Sequence, residues 1–143
     1  MRLTDFHSNG PMCSPTRAAL LLGRYQHRIA IESAISTRGE QGLPEDEQTL
    51  AESLRTAGYA TAVFGKWHLG GVGGPAVPIL PDDPNHPGHY GFDEWISATN
   101  YIEMDPLMTH NGEFVALKGD SSILMVERAL EFIKANRKNP FLA

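Results

Sequence analysis

The chain has 143 residues, of which 41% are hydrophobic and 20% are charged, and its formal net charge is -5 at pH 7. This size and composition are typical of one globular domain. The negative charge and the lack of a basic run argue against a nucleic-acid partner, and no apolar stretch is long enough to span a bilayer. A single cysteine excludes an internal disulfide.

The first 23 residues contain a strand pattern followed by a helix pattern. Residues 2–8, RLTDFHS, include apolar and β-prone side chains, which predicts a β-strand. Residues 14–23, SPTRAALLLG, predict a helix. Ser14 is suited to its N-cap, Pro15 to its first helical position and Gly23 to its end.

The only cysteine, Cys13, lies at the start of this predicted helix. Free backbone N–H groups and the helix dipole favour an anion at such a position. Arg17, in the first turn, is unfavourably placed against the same dipole unless an anion binds beside it. The alternative is that Cys13 is a small buried core residue and Arg17 a solvated surface charge.

The middle of the chain predicts a helix, a strand and a long loop. Thr49 and Glu52 match a capping box, and Gly58 ends the predicted helix. Residues 59–65, YATAVFG, form a short apolar run typical of a buried strand. Residues 70–90 are rich in Gly, Pro and His and predict an irregular segment, which in a compact domain is typical of a functional loop or of disorder.

The last third continues the alternation of strand and helix. Residues 111–117, NGEFVAL, predict a turn or short hairpin, and residues 139–143, NPFLA, begin a strand. Between them lies a predicted helix capped by Ser121 or Ser122. Its apolar positions at helical spacing are Val126, Ala129, Leu130 and Ile133. Strands that alternate with helices predict a layered α/β sheet.

The residues around the cysteine form a motif. Cys13, Pro15 and Arg17 spell C-x-P-x-R, and the wider stretch PMCSPTRAALLLGRY, residues 11–25, resembles the signature of the type I sulfatases. A second stretch, GYATAVFGKWHLGG at residues 58–71, resembles the G-K-W-H-L-G segment of that family.

Two further stretches resemble the same family in the expected order. HYGFDEWISATNY, residues 89–101, is similar to its G-F-D-E-aromatic segment, and ALEFIKANRKNPFLA, residues 129–143, is similar to the helix and strand that follow. Leu22 stands where the family commonly has Thr, a departure that leaves the motif around the cysteine untouched. The resemblance, which is arylsulfatase-like, therefore covers nearly the whole chain.

This resemblance implies a formylglycine-dependent sulfuric ester hydrolase. In the family, a formylglycine-generating enzyme oxidises the motif cysteine, here Cys13, and the hydrated aldehyde is the nucleophile. By position, Arg17 and the helix start stabilise its alkoxide, while Lys66 and His68 contact the substrate sulfate and the formylglycine. The implied fold is α/β, a partial alkaline-phosphatase-like α/β/α sandwich with an incomplete sheet.

The implied substrate is a sulfated small molecule or carbohydrate, with sulfate esters of sugars and of aryl alcohols both open. Asn100 and Tyr101 are candidates for the wall that contacts the substrate alcohol, and an ordinary loop role is the alternative for both. Two other functions stay open. One is a phosphonate or phosphate monoester hydrolase of the same fold, and the other is a non-catalytic remnant.

The family also holds a divalent cation, usually calcium (Ca2+), for which this chain supplies only Cys13, as formylglycine. By resemblance, the other ligands would lie before Met1 and after Ala143, and a further histidine would follow the last strand. Because Ca2+ takes six to eight oxygen ligands, one protein ligand cannot hold it. Turn, surface or loop roles are favoured over metal binding for Asp5, Asp82, Asp83, Asp93, Asp105, His86, His89 and His110.

We therefore expect residues 1–143 to be an internal piece of a sulfatase catalytic domain, truncated at both ends and inactive alone. The chain opens without a signal peptide, whereas members of the family are often periplasmic, secreted or lysosomal.

Overall fold

The computed structural model describes residues 2–36, 41–70, 77–100 and 103–143. These residues form α1 (Cys13–Leu22), α2 (Leu50–Thr56), β1 (Ala60–Lys66), β2 (Glu94–Ala98), β3 (Leu107–His110), β4 (Glu113–Ala116), α3 (Ser121–Asn136) and β5 (Phe141–Leu142). Two short 3-10 turns span Gln26–Ile29 and Pro87–Tyr90. Among the described residues, no helix is both long and apolar enough to cross a membrane.

The first helix begins two residues before the predicted start. Cys13 is its first residue and Met12 is the N-cap, which supplies no side-chain hydrogen bond. Ser14 is therefore not the cap. Its hydroxyl instead makes hydrogen bonds with the backbones of His68 and Ile35. Gly23 ends the helix in the left-handed region at φ 63°, as predicted.

The second helix starts with the predicted capping box. The Thr49 hydroxyl accepts from the Glu52 N–H, and the Glu52 carboxylate accepts from the Thr49 N–H at 2.8 Å. The Thr49 hydroxyl also donates to the carbonyl of Tyr90 at 2.7 Å, which ties the helix start to the 3-10 turn.

The described strands form one open sheet in the order β4-β3-β2-β1-β5. β1 runs parallel to β2 and β5, whereas β3 is antiparallel to both β2 and β4. The register pairs Ala62 with Glu94 and Lys66 with Ala98, so β1 and β2 end at the same edge of the sheet. Residues that follow either strand consequently lie at that edge.

Alternate residues of the central strands pack into two apolar clusters. Val63 and Trp95 join the cluster that contains residues of α1 and α2, whereas Phe64 and Ile96 join the cluster that contains Met125 of α3. Successive side chains of a strand point to opposite faces, so the helices cover the two faces of the sheet. This arrangement confirms the α/β class and gives the α/β/α layering.

Residues 2–8 do not form the predicted strand. The segment is exposed throughout and pairs with none of the strands in the described sheet. A strand pattern needs a neighbouring backbone to satisfy its N–H and C=O groups, and the pattern alone does not specify that neighbour.

The N-cap of α3 lies one or two residues before the predicted cap, Ser121 or Ser122. Asp120 is the N-cap, and its carboxylate accepts from the N–H of Ser122 at 2.7 Å. Ser121 is instead the first helical residue and is buried. A charged acceptor is favoured at this position because it also interacts with the helix dipole.

The buried face of α3 is not centred on the apolar positions that indicated the helix in the sequence. Met125 and Phe132 are buried, whereas Val126 is 59% exposed and Leu130 is 46% exposed. The predicted helix is confirmed, and its buried residues, Ser121, Met125 and Phe132, are not the four apolar positions that indicated it. Apolar residues surround most of this helix, so spacing alone does not select the face that meets the sheet.

Candidate active site

The start of α1 is attached to the end of β1 by two side-chain hydrogen bonds. The Ser14 hydroxyl donates to the carbonyl of His68 at 2.7 Å, and Arg17 Nη1 donates to the carbonyl of Lys66 at 2.7 Å. Cys13 is the first residue of the same helix, with Arg17 one turn later. The structure thus brings together the four residues that the resemblance names, which come from two stretches about 50 residues apart.

The imidazole of His68 is held at both of its nitrogen atoms. Nδ1 lies 3.0 Å from Cys13 Sγ, and Nε2 lies 3.0 Å from the carbonyl oxygen of Ile35. A carbonyl oxygen only accepts, so Nε2 carries the proton in the neutral ring. The lone pair of Nδ1 therefore faces Cys13, which is the arrangement of a base beside a nucleophile.

Burial and the neighbouring cations keep His68 neutral at pH 7. Burial lowers its pKa from the ordinary 6.5, and the cations of Lys66 and Arg17 lower it further, against an opposing effect of the Ile35 carbonyl. Burial also lowers the pKa of Arg17, and the charge of Cys13 partly offsets that effect. Arg17 remains a cation at neutral pH because its ordinary pKa is so high.

The backbone around His68 is strained and supported from two sides. His68 has φ 53°, a value that non-glycine residues adopt only in sparsely populated conformations, and it is 4% exposed. The N–H groups of Trp67 and His68 donate to the carbonyls of Ala98 and Thr99, which continues the pairing of β1 with β2. Trp67 Nε1 donates to the carbonyl of Asn85 at 2.7 Å.

Asn100 lies at the same edge of the sheet, two residues after β2 ends. Thr99, which precedes it, accepts from the N–H of His68 at 2.9 Å. The Oδ1 atom of Asn100 is buried and has no hydrogen-bond partner among the described residues. Tyr101, the second candidate for the substrate wall, lies outside the described residues.

The described residues do not fit a calcium site on their own. Among them, no three His, Cys, Asp or Glu side chains are grouped so that they could hold a metal ion. Several carboxylates have protein partners instead: Asp5 with His7, Asp83 with the N–H of Asn85, Asp93 with Thr61, and Asp105 with the N–H of Gly119. Calcium needs six to eight oxygen ligands, so its remaining ligands would have to come from elsewhere.

Asp83 differs from the surface carboxylate that the sequence predicts. It is 6% exposed, and its Oδ2 has no hydrogen-bond partner among the described residues. The neighbouring His86 stacks on Trp95 with ring centroids 5.3 Å apart, and His89 stacks on His86 at 4.0 Å. These rings pack against one another, as expected for structural side chains of a loop.

Two residues of the site carry no signal in the sequence. Ile35 and Thr99 contact His68 through their backbone carbonyls, so no side-chain pattern could have identified them. Ser14 does carry a signal, but Ser before Pro is typical of a helix N-cap, so the sequence predicts a cap and not these tertiary hydrogen bonds.

A cavity of about 430 Å³ lies away from this site. It is formed between residues 6–9 and the later part of α1, and none of the four clustered residues lines it. The chemistry-bearing groups therefore sit at an edge of the sheet and not in this cavity.

The fold is similar to that of Ps i-CgsB, whose crystal structure in complex with k-i-k-neocarrahexaose gives a TM-score of 0.79 at 26% identity. The match covers 94% of this chain and 34% of that one. An open mixed sheet between helices, with polar groups where the parallel strands end, is the architecture of the alkaline-phosphatase-like hydrolases. A family model described as Sulfatase matches residues 1–143, so the chain belongs to the sulfatase family.

Sequence relatives agree with this membership. Arylsulfatase G of Mus musculus is 50% identical over 70 residues, which cover 49% of this chain and 13% of that protein. N-acetylgalactosamine-6-sulfatase of Homo sapiens is 32% identical over 166 residues, which cover 96% of this chain and 30% of that protein. The chain thus spans less than a third of the length of either relative.

Proposed function

We propose that this chain is part of the catalytic domain of a sulfuric ester hydrolase that uses a formylglycine made from Cys13. The observation that carries the proposal is the contact of 3.0 Å between His68 Nδ1 and Cys13 Sγ at the start of α1. A lone pair aimed at residue 13, beside the cations of Arg17 and Lys66, suits a nucleophile that attacks an anionic ester.

The modified residue would react in two steps. In the hydrated aldehyde at position 13, one hydroxyl oxygen attacks the sulfur atom. The ester S–O bond breaks, and the substrate alcohol leaves with a proton, so that residue 13 carries a covalent sulfate ester. The second hydroxyl then gives its proton to His68 Nδ1, the C–O bond to sulfate breaks, and the aldehyde forms again as sulfate leaves. A thiol or a serine hydroxyl has no second hydroxyl for this release.

The remaining groups position the anion. The free N–H groups at the start of α1 and the guanidinium of Arg17 face the charge that develops on residue 13 and on the sulfate. Arg17 Nη1 is already bonded to the Lys66 carbonyl, so its other N–H groups are the ones left for an anion. Lys66 neutralises a sulfate oxygen in this scheme.

The substrate class follows from two observations of different kinds. The buried Oδ1 of Asn100 accepts no hydrogen bond from the described residues, and a sugar hydroxyl could supply one. Ps i-CgsB, solved with k-i-k-neocarrahexaose, supports a carbohydrate for this chain as well. We therefore favour a sulfated carbohydrate as substrate, with aryl sulfates as convenient chromogenic analogues.

The test starts with the modification itself. The chain is co-expressed with a formylglycine-generating enzyme, and the tryptic peptide that contains residue 13 is analysed by mass spectrometry. A fraction of the peptide should carry an aldehyde. Only unmodified cysteine, despite an active modifying enzyme, would count against the proposal.

Activity is then measured on the complete protein that contains this chain, with the sulfate and phosphate esters of one phenol. Hydrolysis should favour the sulfate ester and vanish in Cys13→Ala. A preference for the phosphate ester would establish the alternative hydrolase of the same fold. Arg17→Lys should lower kcat/KM by about a hundredfold, because lysine cannot bond the Lys66 carbonyl and the anion together. Arg28→Lys is the control, since Arg28 is exposed.

A further inference from the structure

The Ser14 side chain closes a ring of three hydrogen bonds around His68. Its hydroxyl accepts from the N–H of Ile35 at 3.0 Å and donates to the carbonyl of His68 at 2.7 Å. The carbonyl of Ile35 in turn accepts from His68 Nε2 at 3.0 Å. Ser14 is 0% exposed, so water does not compete for either bond.

This ring of hydrogen bonds holds both the backbone and the imidazole of His68. One bond from Ser14 holds the backbone of His68, which has the unfavourable φ of 53°. The other bond holds the backbone of Ile35, whose carbonyl decides which ring nitrogen carries the proton. The same hydroxyl therefore controls the position and the tautomer of the imidazole.

We propose that Ser14 is a positioning residue that aims the Nδ1 lone pair of His68 at residue 13. The catalytic meaning of this inference rests on the proposed function, but the arrangement itself belongs to this chain and needs no substrate. Ser14 does not act on the reacting atoms, because both of its hydrogen bonds go to backbone groups.

A nearby hydroxyl on the same helix provides a matched control. Thr16 Oγ1 donates to the carbonyl of Gly10 at 2.9 Å and makes no contact with the ring of hydrogen bonds. Thr16→Ala therefore removes a hydroxyl two residues from Ser14 and leaves the bonds of His68 in place. Ser14→Ala leaves the Ile35 N–H and the His68 carbonyl buried without their partner.

The test is nuclear magnetic resonance on the chain with unmodified Cys13, at one pH near neutrality and without substrate. We expect a slowly exchanging proton on His68 Nε2 and a protected amide at Ile35. In Ser14→Ala, both protons should exchange at least about tenfold faster, as expected when a buried bond is lost. Thr16→Ala should leave both exchange rates unchanged, and Ser14→Thr, which keeps the hydroxyl, should restore them.

Three results would overturn the proposal. The first is unchanged exchange of both protons in a folded Ser14→Ala chain. The second is loss of both protected protons in a folded Ser14→Thr chain. The third needs no variant: a wild-type imidazole that carries its proton on Nδ1 and not on Nε2. None of these readouts involves hydrolysis, so a protein without sulfatase activity would refute the proposed function and leave the role of Ser14 to be decided separately.

Discussion

At the start of α1, three features that favour an anion occur within one helical turn. The helix dipole, the free N–H groups and the guanidinium of Arg17 all act on the space beside Cys13. A neutral His68 adds an acceptor without adding a positive charge. Arg17, which is unfavourably placed against the helix dipole, is held in the first turn by its hydrogen bond to the Lys66 carbonyl.

His86, which lies outside this cluster, also has a pKa that burial lowers. His86 Nδ1 accepts from the N–H of Gly88 at 3.0 Å, and its ring lies between Trp95 and His89. Burial lowers the pKa of His86 from 6.5, the charge of His89 lowers it further, and Asp83 opposes them. Protonation of Nδ1 would also remove the acceptor that caps the 3-10 turn.

The stability of the chain should therefore depend on pH through His86. Its pKa is lower in the folded state, so the unfolded state binds more protons below about pH 6.5, and the free energy of unfolding falls as the pH falls through that region. His86→Asn keeps an acceptor for Gly88 but does not titrate, so the slope between about pH 7.5 and 5 should decrease. Denaturant unfolding at a series of pH values measures how the free energy of unfolding changes with pH.

The slope should not vanish in this variant, because the pKa of His68 is lowered as well and contributes with the same sign. His27→Asn, at an exposed histidine, is the control for replacing an imidazole with an amide. A His86→Asn chain with the wild-type slope would show that His86 does not contribute.

Among the elements, the irregular segment after β1 supports the residues that carry His68. The side chain of Asn85 lies against the backbones of Gly42 and Gly70. The backbone carbonyl of Asn85 accepts from Trp67 Nε1, and its side-chain Oδ1 accepts from the Tyr90 hydroxyl at 2.9 Å. These contacts tie Asn85 to Trp67 and Tyr90. Residues 71–76 of the predicted irregular segment lie outside the described residues.

The close approach of Gly42 to Asn85 gives a test of this packing. A Cβ atom on Gly42 would lie 2.1 Å from Asn85 Oδ1, so Gly42→Ala should lower the free energy of unfolding by about 1–3 kcal/mol. The atoms in the way belong to the Asn85 amide. In the Asn85→Ala background, Gly42→Ala should therefore cost less than about 1 kcal/mol.

Chemical denaturation of the two single variants and the double variant gives the coupling energy between positions 42 and 85. Gly10→Ala is the control, because its nearest neighbour would be 3.4 Å from the new Cβ, an ordinary contact. Equal costs for Gly42→Ala in both backgrounds would mean that the amide of Asn85 does not occupy the place described.

The sequence predicts best those helix ends and turns that depend on particular capping or turn residues. The capping box of α2, the end of α1 at Gly23 and the hairpin turn at Asn111 are confirmed because each depends on residues close in the chain. β2 carries no comparable mark, since its identity depends on pairing with β1 and β3. The phase of α3 is likewise set by the sheet and not by the helix.

The same limit applies to the site. The motifs predict which side chains belong together, and the end of β1 explains why Lys66 and His68 share an edge. The sequence does not predict that Ile35 supplies a carbonyl or that Ser14 bonds to it, because tertiary folding brings these groups together.

For the whole molecule, the described surface carries several large exposed apolar side chains. One side of α3 presents Ile123, Val126 and Leu130, each at least 46% exposed, and Phe114 of the hairpin is 52% exposed. Apolar groups of this size on a surface mark interfaces or promote aggregation. We propose that residues 1–143 are an internal part of a catalytic domain, and that the rest of that domain covers them.

The isolated chain should neither bind calcium tightly nor hydrolyse sulfate esters at a useful rate. Its described residues hold no group of ligands for a metal ion, and loss of even one oxyanion donor lowers rates by about a hundredfold to a thousandfold. Calorimetric titration with calcium should show no saturable binding tighter than about 1 mM. After co-expression with the modifying enzyme, hydrolysis of an aryl sulfate should match that of Cys13→Ala. Saturable calcium binding together with turnover that Cys13→Ala abolishes would contradict this prediction. Carboxylates such as Asp82 and Asp83 would then be calcium ligands.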